Sequence, residues 1–89
     1  MLFRSVATDL NNLAALLQAT NRLGEAEPLM RRALAIVCAL EAAIGRELPS
    51  RVTVQGNYAA LLESMGNSAP EIDAAIAAVR RQAGLAAGQ

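Results

Sequence analysis

The chain has 89 residues, enough for one small domain and too few for two. Eight acidic residues balance eight arginines, with no Lys and no His, so long-range attraction to polyanions is missing and nucleic acid is a poor partner. Hydrophobic residues make up 54% of the chain but aromatics only 2%, which leaves Ala and Leu to fill a core between closely approaching helices.

The longest apolar run, Ala33 to Leu40, spans eight residues. About 20 are needed to cross a bilayer, so no membrane partner is expected. Arg4 is followed by Ser5, Thr8, Asp9, Asn11 and Asn12, which does not read as a signal peptide. One cysteine, Cys38, cannot form an internal disulfide, and this agrees with a reducing, cytoplasmic location.

The first element is an amphipathic helix from about Ser5 to Thr20. Val6, Leu10, Leu13 and Leu17, with Leu16 on the flank, recur at helical spacing, and their stripe is the expected buried face. Ser5 reads as its N-cap and Asn21 as a left-handed exit. Gly24 reads as the cap of a second, longer helix with Ala26, Met30, Ala33, Val37, Leu40 and Ile44 along its buried edge and Gly45 as its stop. Pro28 sits at the limit of the first turn, and Glu27 with Arg31 makes an i,i+4 pair on the exposed side.

After a connector, Ser50 reads as the cap of a third helix carrying Val52, Val54, Tyr58, Leu61, Leu62 and Met65, with Gly66 as exit. Ser68 and Glu71 fit a capping box. The fourth helix follows with Ile72, Ile76 and Val79, fading at Gly84 into a frayed tail over 85–89. No strand is expected, because no alternating β-branched run occurs.

The chain also repeats itself. Asn12-Leu13-Ala14-Ala15-Leu16-Leu17 returns as Asn57-Tyr58-Ala59-Ala60-Leu61-Leu62, and Thr8 returns as Thr53, at an offset of 45 residues. From Ala26 to Ile72 the offset becomes 46, so the second turn gains a residue. The organisation expected is an all-α stack of two helix hairpins, 5–45 and 50–84, in one domain over 1–89.

The residues Leu10-Asn11-Asn12-Leu13-Ala14 with Leu17, then Asn21-Arg22-Leu23, Glu25-Ala26-Glu27-Pro28-Leu29 and Arg32-Ala33-Leu34, resemble a tetratricopeptide repeat, in particular the long-period kind of kinesin light chains. The resemblance covers Val6 to Ile44 strongly and Val52 to Ala83 weakly. It implies that Ala14, Ala26 and Ala33 are close-approach positions. With Ile72, Ile76 and Val79 in place of Ala26, Met30 and Ala33, the second pair of helices should sit further apart and act as an end repeat.

The resemblance further implies a concave face made by the first helix of each repeat. Helical spacing puts Thr8, Asn11, Ala15, Gln18 and Ala19 there, then Thr53, Gly56, Ala60, Glu63 and Ser64. A carboxamide at Asn11 could hold the backbone of an extended peptide, since it both donates and accepts, while Gly56 breaks the ladder in the second copy. Asn12 and Asn57 read as structural, turned toward the neighbouring helix. Ala14, Ala26, Ala33, Leu17 and Leu62 are the expected packing residues.

Chemistry is hard to place. Without His, with one Cys and with scattered carboxylates, there is no acid/base pair, no activated nucleophile, no cofactor signature and no metal-ligand spacing. Arg31-Arg32 and Arg80-Arg81 read as solvated pairs rather than an anion site, and Cys38 as a packing residue. The function expected is therefore a scaffold for a protein or peptide partner. The alternatives are a self-associating bundle with no groove ligand and a piece of a longer array. Apolar residues at both ends, Leu2, Phe3 and Val6 at one and Ile72, Ile76 and Val79 at the other, point to a homodimer.

Overall fold

A computed structural model describes the backbone of residues 2–87 and the side chains of residues 6–84. The described backbone forms four α-helices and no strand: α1 (Leu2–Ala19), α2 (Leu23–Ile44), α3 (Pro49–Ser64) and α4 (Ala69–Ala87).

Two helix ends close in the same way at equivalent positions of the repeat. At the end of α1 the Arg22 N–H donates to the Leu17 carbonyl at 2.8 Å and the Asn21 N–H to Gln18 at 3.0 Å, with Asn21 at φ 61°. At the end of α3 the Asn67 N–H donates to Leu62 at 3.1 Å and the Gly66 N–H to Glu63 at 3.0 Å, with Gly66 at φ 93°. Both are Schellman closures, in which a left-handed residue lets the chain turn back on carbonyls the helix leaves unpaired. Gly45 ends α2 at φ 75°. The turn after α1 occupies residues 20–22 and the turn after α3 residues 65–68, so the second does hold one residue more.

Helix starts follow different rules. The Ser68–Glu71 capping box is present, with the Ser68 N–H donating to Glu71 Oε1 at 2.7 Å and the Glu71 N–H to Ser68 Oγ at 3.4 Å. Ser5, in contrast, lies inside α1, because α1 already begins at Leu2. Gly24 lies inside α2, where Arg22 holds the N-cap position and grips Glu25 through two hydrogen bonds of 2.6 Å. Ser50 lies inside α3, which starts at Pro49 with Leu48 as N-cap. Proline at the first helical position brings a suitable φ and no orphan N–H. Pro28 sits within α2, and the carbonyl it leaves unpaired belongs to exposed Gly24. Gly84 does not end α4, which runs on to Ala87; Gly88 and Gln89 lie outside the described residues.

The long α2 is the centre of the molecule and packs against all three other helices, most extensively α1. α4 lies chiefly on α2 and touches α3 little, so the second pair is a looser hairpin than the first. The core holds Ala14, Ala26, Met30, Ala33, Leu34, Val37, Tyr58, Leu61, Leu62 and Val79.

The buried face of α1 differs in part from the expected one. Ala14 is buried as the repeat resemblance implied, with Ala7 beside it and Leu10 and Leu17 half-buried, whereas Val6, Leu13 and Leu16 are exposed. Two apolar stripes share this helix, and the small-residue stripe faces α2 because alanines allow closer backbone approach than leucines. Ile44, Val52 and Met65 are also exposed, since each lies at a helix end or on an outer face. The side chains of Leu2 and Phe3 fall outside the described residues.

Candidate functional site

α1 and α3 meet at two carboxamides. Asn57 Nδ2 donates to Asn11 Oδ1 at 3.2 Å, which joins the first helices of the two hairpins directly. Asn57 is thus turned toward its neighbour as expected, but its partner is Asn11; Asn12 is exposed. The amide donors of Asn11 and the oxygen of Asn57 keep capacity for a further partner, because each carboxamide offers two donors and two lone pairs.

Around this pair lies a surface of small side chains. On α1, Thr8, Ala15 and Ala19 are exposed and Gln18 is half-buried; on α3, Thr53, Gly56, Ala60, Glu63 and Ser64 are exposed. Thr53 and Ser64 turn their hydroxyls back onto their own helix, to the carbonyls of Pro49 at 3.5 Å and Ala60 at 3.1 Å. These bonds hold the two side chains low, so the surface has little relief. The packing residues stand behind it: Ala14, Ala26 and Ala33 are fully buried, Leu62 is buried and Leu17 half-buried.

Two contacts that sequence reasoning missed fix α3 on α2. The Tyr58 hydroxyl donates to Glu27 Oε2 at 2.6 Å, while Glu27 also approaches Arg31 at 3.7 Å. Burial, reinforced by the neighbouring carboxylate, pushes the Tyr58 phenol well above its usual range. Glu41 accepts the Leu48 N–H at 2.7 Å and pairs with Arg51 at 3.1 Å, and both side chains of the pair are about nine-tenths buried. A buried Tyr needs an acceptor and a buried Arg needs a carboxylate, so a polar partner was implied for each residue. The repeat pattern does not say which.

The arginine pairs do not merge into one patch. Arg31 and Arg32 edge a hollow of about 360 Å³ floored by Ala35, Ile36 and Ala39, while Arg80 borders another of about 320 Å³ beside Cys38 and Glu41. Burial raises the Cys38 thiol above its ordinary range and outweighs the opposing effect of Arg80, which keeps it in the unreactive protonated form. Among the described residues no group of three or more His, Cys, Asp or Glu side chains could hold a metal ion. Among the described residues no helix is long and apolar enough to cross a membrane.

The chain was compared with models of protein families, with curated proteins and with solved structures. It matches none of them.

Proposed function

We propose that the chain is a helical-repeat interaction module, similar in plan to a pair of tetratricopeptide repeats, that binds an extended peptide segment on the surface shared by α1 and α3. The observation that carries the reading is the Asn11–Asn57 hydrogen bond. It sets the two first helices side by side and leaves carboxamide groups with spare capacity in the middle of a low, nearly uncharged surface. Glu63 is the one charge among the described residues of that surface. An extended peptide bound there would be held by backbone hydrogen bonds to Asn11 and Gln18 and by contact with Ala15, Ala19 and Ala60. Long-range charge would contribute little.

Panning a displayed library of random peptides against the whole chain tests this. The expected result is a set of related extended peptides whose binding is abolished by Gln18→Arg, weakened by Asn11→Ala and unchanged by Leu16→Glu. Failure to enrich any related set, or binding indifferent to Gln18→Arg, overturns the reading.

A further inference from the structure

Where α4 lies along α2, small side chains leave the space between the two helices unfilled. On α2, Ala35 and Ala39 stand about one turn apart with Ile36 beside them, and all three are only half-buried. On α4, Val79 and Ala83 stand about one turn apart in the same way. Together they line an open hollow of about 360 Å³, which lies within the range of about 300–1,000 Å³ typical of sites for small molecules.

The rim of this hollow carries one sign of charge. Arg31 and Arg32 stand on its α2 side and Gln82 on its α4 side, and no acidic residue lines it. Arg31 approaches Glu27 only at 3.7 Å, and that carboxylate also accepts the Tyr58 hydroxyl at 2.6 Å. Arg32 is exposed and pairs with no acid among the described residues. The hollow beside Cys38 is different: Arg46 and Arg80 share it with Glu41 and Glu47, so its charges cancel. In a chain whose arginines and acids balance, an apolar floor under two guanidinium groups is a local excess of positive charge. It complements a molecule that is apolar along its length and anionic at one end. The planar fork of a guanidinium matches a carboxylate, two N–H donors to two oxygens.

Size selects the occupant. The floor spans residues 35–39 of α2 and 79–83 of α4, a rise of about 6 Å along each helix. A docked amphipathic helix uses anchors spread from i to i+7, about 10 Å, and would overrun it. We propose that the hollow binds a small amphiphilic carboxylate of the medium-chain fatty-acid type. Its alkyl chain lies on Ala35, Ile36, Ala39, Val79 and Ala83, and its headgroup meets Arg32, with Arg31 as the second cation. A ligand with about ten non-hydrogen atoms in so open a site binds with a dissociation constant of about 1 mM. The hollow shares no residue with the surface of α1 and α3 proposed above, so the two readings stand or fall separately.

Octanoate is the probe, kept below its micelle-forming concentration and titrated into the whole chain while the amide NMR spectrum is followed. Saturable shifts should gather at Ala35, Ile36, Ala39, Val79 and Ala83. Arg32→Glu, a change at an exposed position, should weaken binding by about tenfold or more, and Ala39→Leu should abolish it by filling the floor. Arg46→Ala, on the rim of the other hollow, should leave it unchanged. Octanol should bind at least about tenfold more weakly than octanoate, and octylammonium should not shift these residues. Circular dichroism checks that each variant is folded. The absence of saturable shifts overturns the proposal. Equal binding of octanol overturns it too, as does a loss of affinity in Arg46→Ala as large as that in Arg32→Glu.

Discussion

The hydroxyl of Tyr58 and the carboxylate of Glu27 meet at 2.6 Å across the packing between α3 and α2. The phenol is held neutral by burial and by the carboxylate it donates to, so its pKa in the folded chain lies above the unfolded value near 10. A raised pKa means that this contribution is whole below about pH 10 and is lost as pH rises through the folded value. Cys38, also raised, acts in the same direction. Denaturation followed by circular dichroism should show stability falling above about pH 10. Tyr58→Phe should flatten that fall and cost about 1–2 kcal/mol at neutral pH.

Arg51 and Glu41 form a pair from which water is largely excluded. Arg51→Ala leaves a carboxylate buried with only the Leu48 amide for company, and the expected loss is about 3–5 kcal/mol. In a domain of this size that is a large share of the stability. In a double-mutant cycle with Glu41→Ala, the second substitution should cost much less than the first. Additive costs would mean that the pair is not coupled.

Ala26→Leu should destabilise by about 1–3 kcal/mol although it adds apolar surface, because the residue is fully enclosed between helices. Leu61→Ala should cost about 2–5 kcal/mol by opening a cavity at a fully buried position. Leu16→Ala, on the open stripe, should leave the stability of the monomer within about 0.5 kcal/mol of wild type. Urea denaturation at low protein concentration separates the three.

The two left-handed closures predict different responses. Asn21→Gly relieves a positive φ but enlarges the unfolded ensemble, so it should be close to neutral. Gly66→Ala forces a Cβ into the same region of backbone space at φ 93° and should destabilise by more than about 1 kcal/mol. Thermal melts of the two variants decide.

Ser50 Oγ is buried without a hydrogen-bond partner among the described residues. Removing an unsatisfied buried hydroxyl removes its desolvation cost, so Ser50→Ala should be neutral or stabilising by up to about 1 kcal/mol. A clear loss of stability would reveal a partner for the hydroxyl.

What could be read from the sequence was whatever local chemistry decides. Asn21, Gly45 and Gly66 mark helix ends because a left-handed residue needs no distant partner, and the Ser68–Glu71 box closes within four positions. The start of α3 escaped because its cap is remote: the Leu48 amide is satisfied by Glu41, seven residues back on another helix. The buried face of α1 escaped for a different reason. Periodicity finds apolar stripes but does not rank them, and hydrophobicity favours Val6 and Leu13 over Ala7, whereas close helix packing favours the alanine; Ala14 was legible only through the repeat resemblance. On the candidate surface, the small side chains of α1 were legible as one face of a helix. The Asn11–Asn57 bond was not, because it crosses the repeat at an offset of 46 rather than 45.

Glu41 grips the first turn of α3 by its backbone, at Leu48, and by a side chain, at Arg51. This carboxylate acts as the pin of a lever whose arm is α3. Thr53 stands near the pivot and Glu63 near the tip, ten residues and about 15 Å further along. Shortening the pin by one carbon, as in Glu41→Asp, would swing the tip further than the base and change the angle between α1 and α3. The curvature of the surface between α1 and α3 is thus adjustable from a residue that lies off that surface, while every side chain on it stays the same.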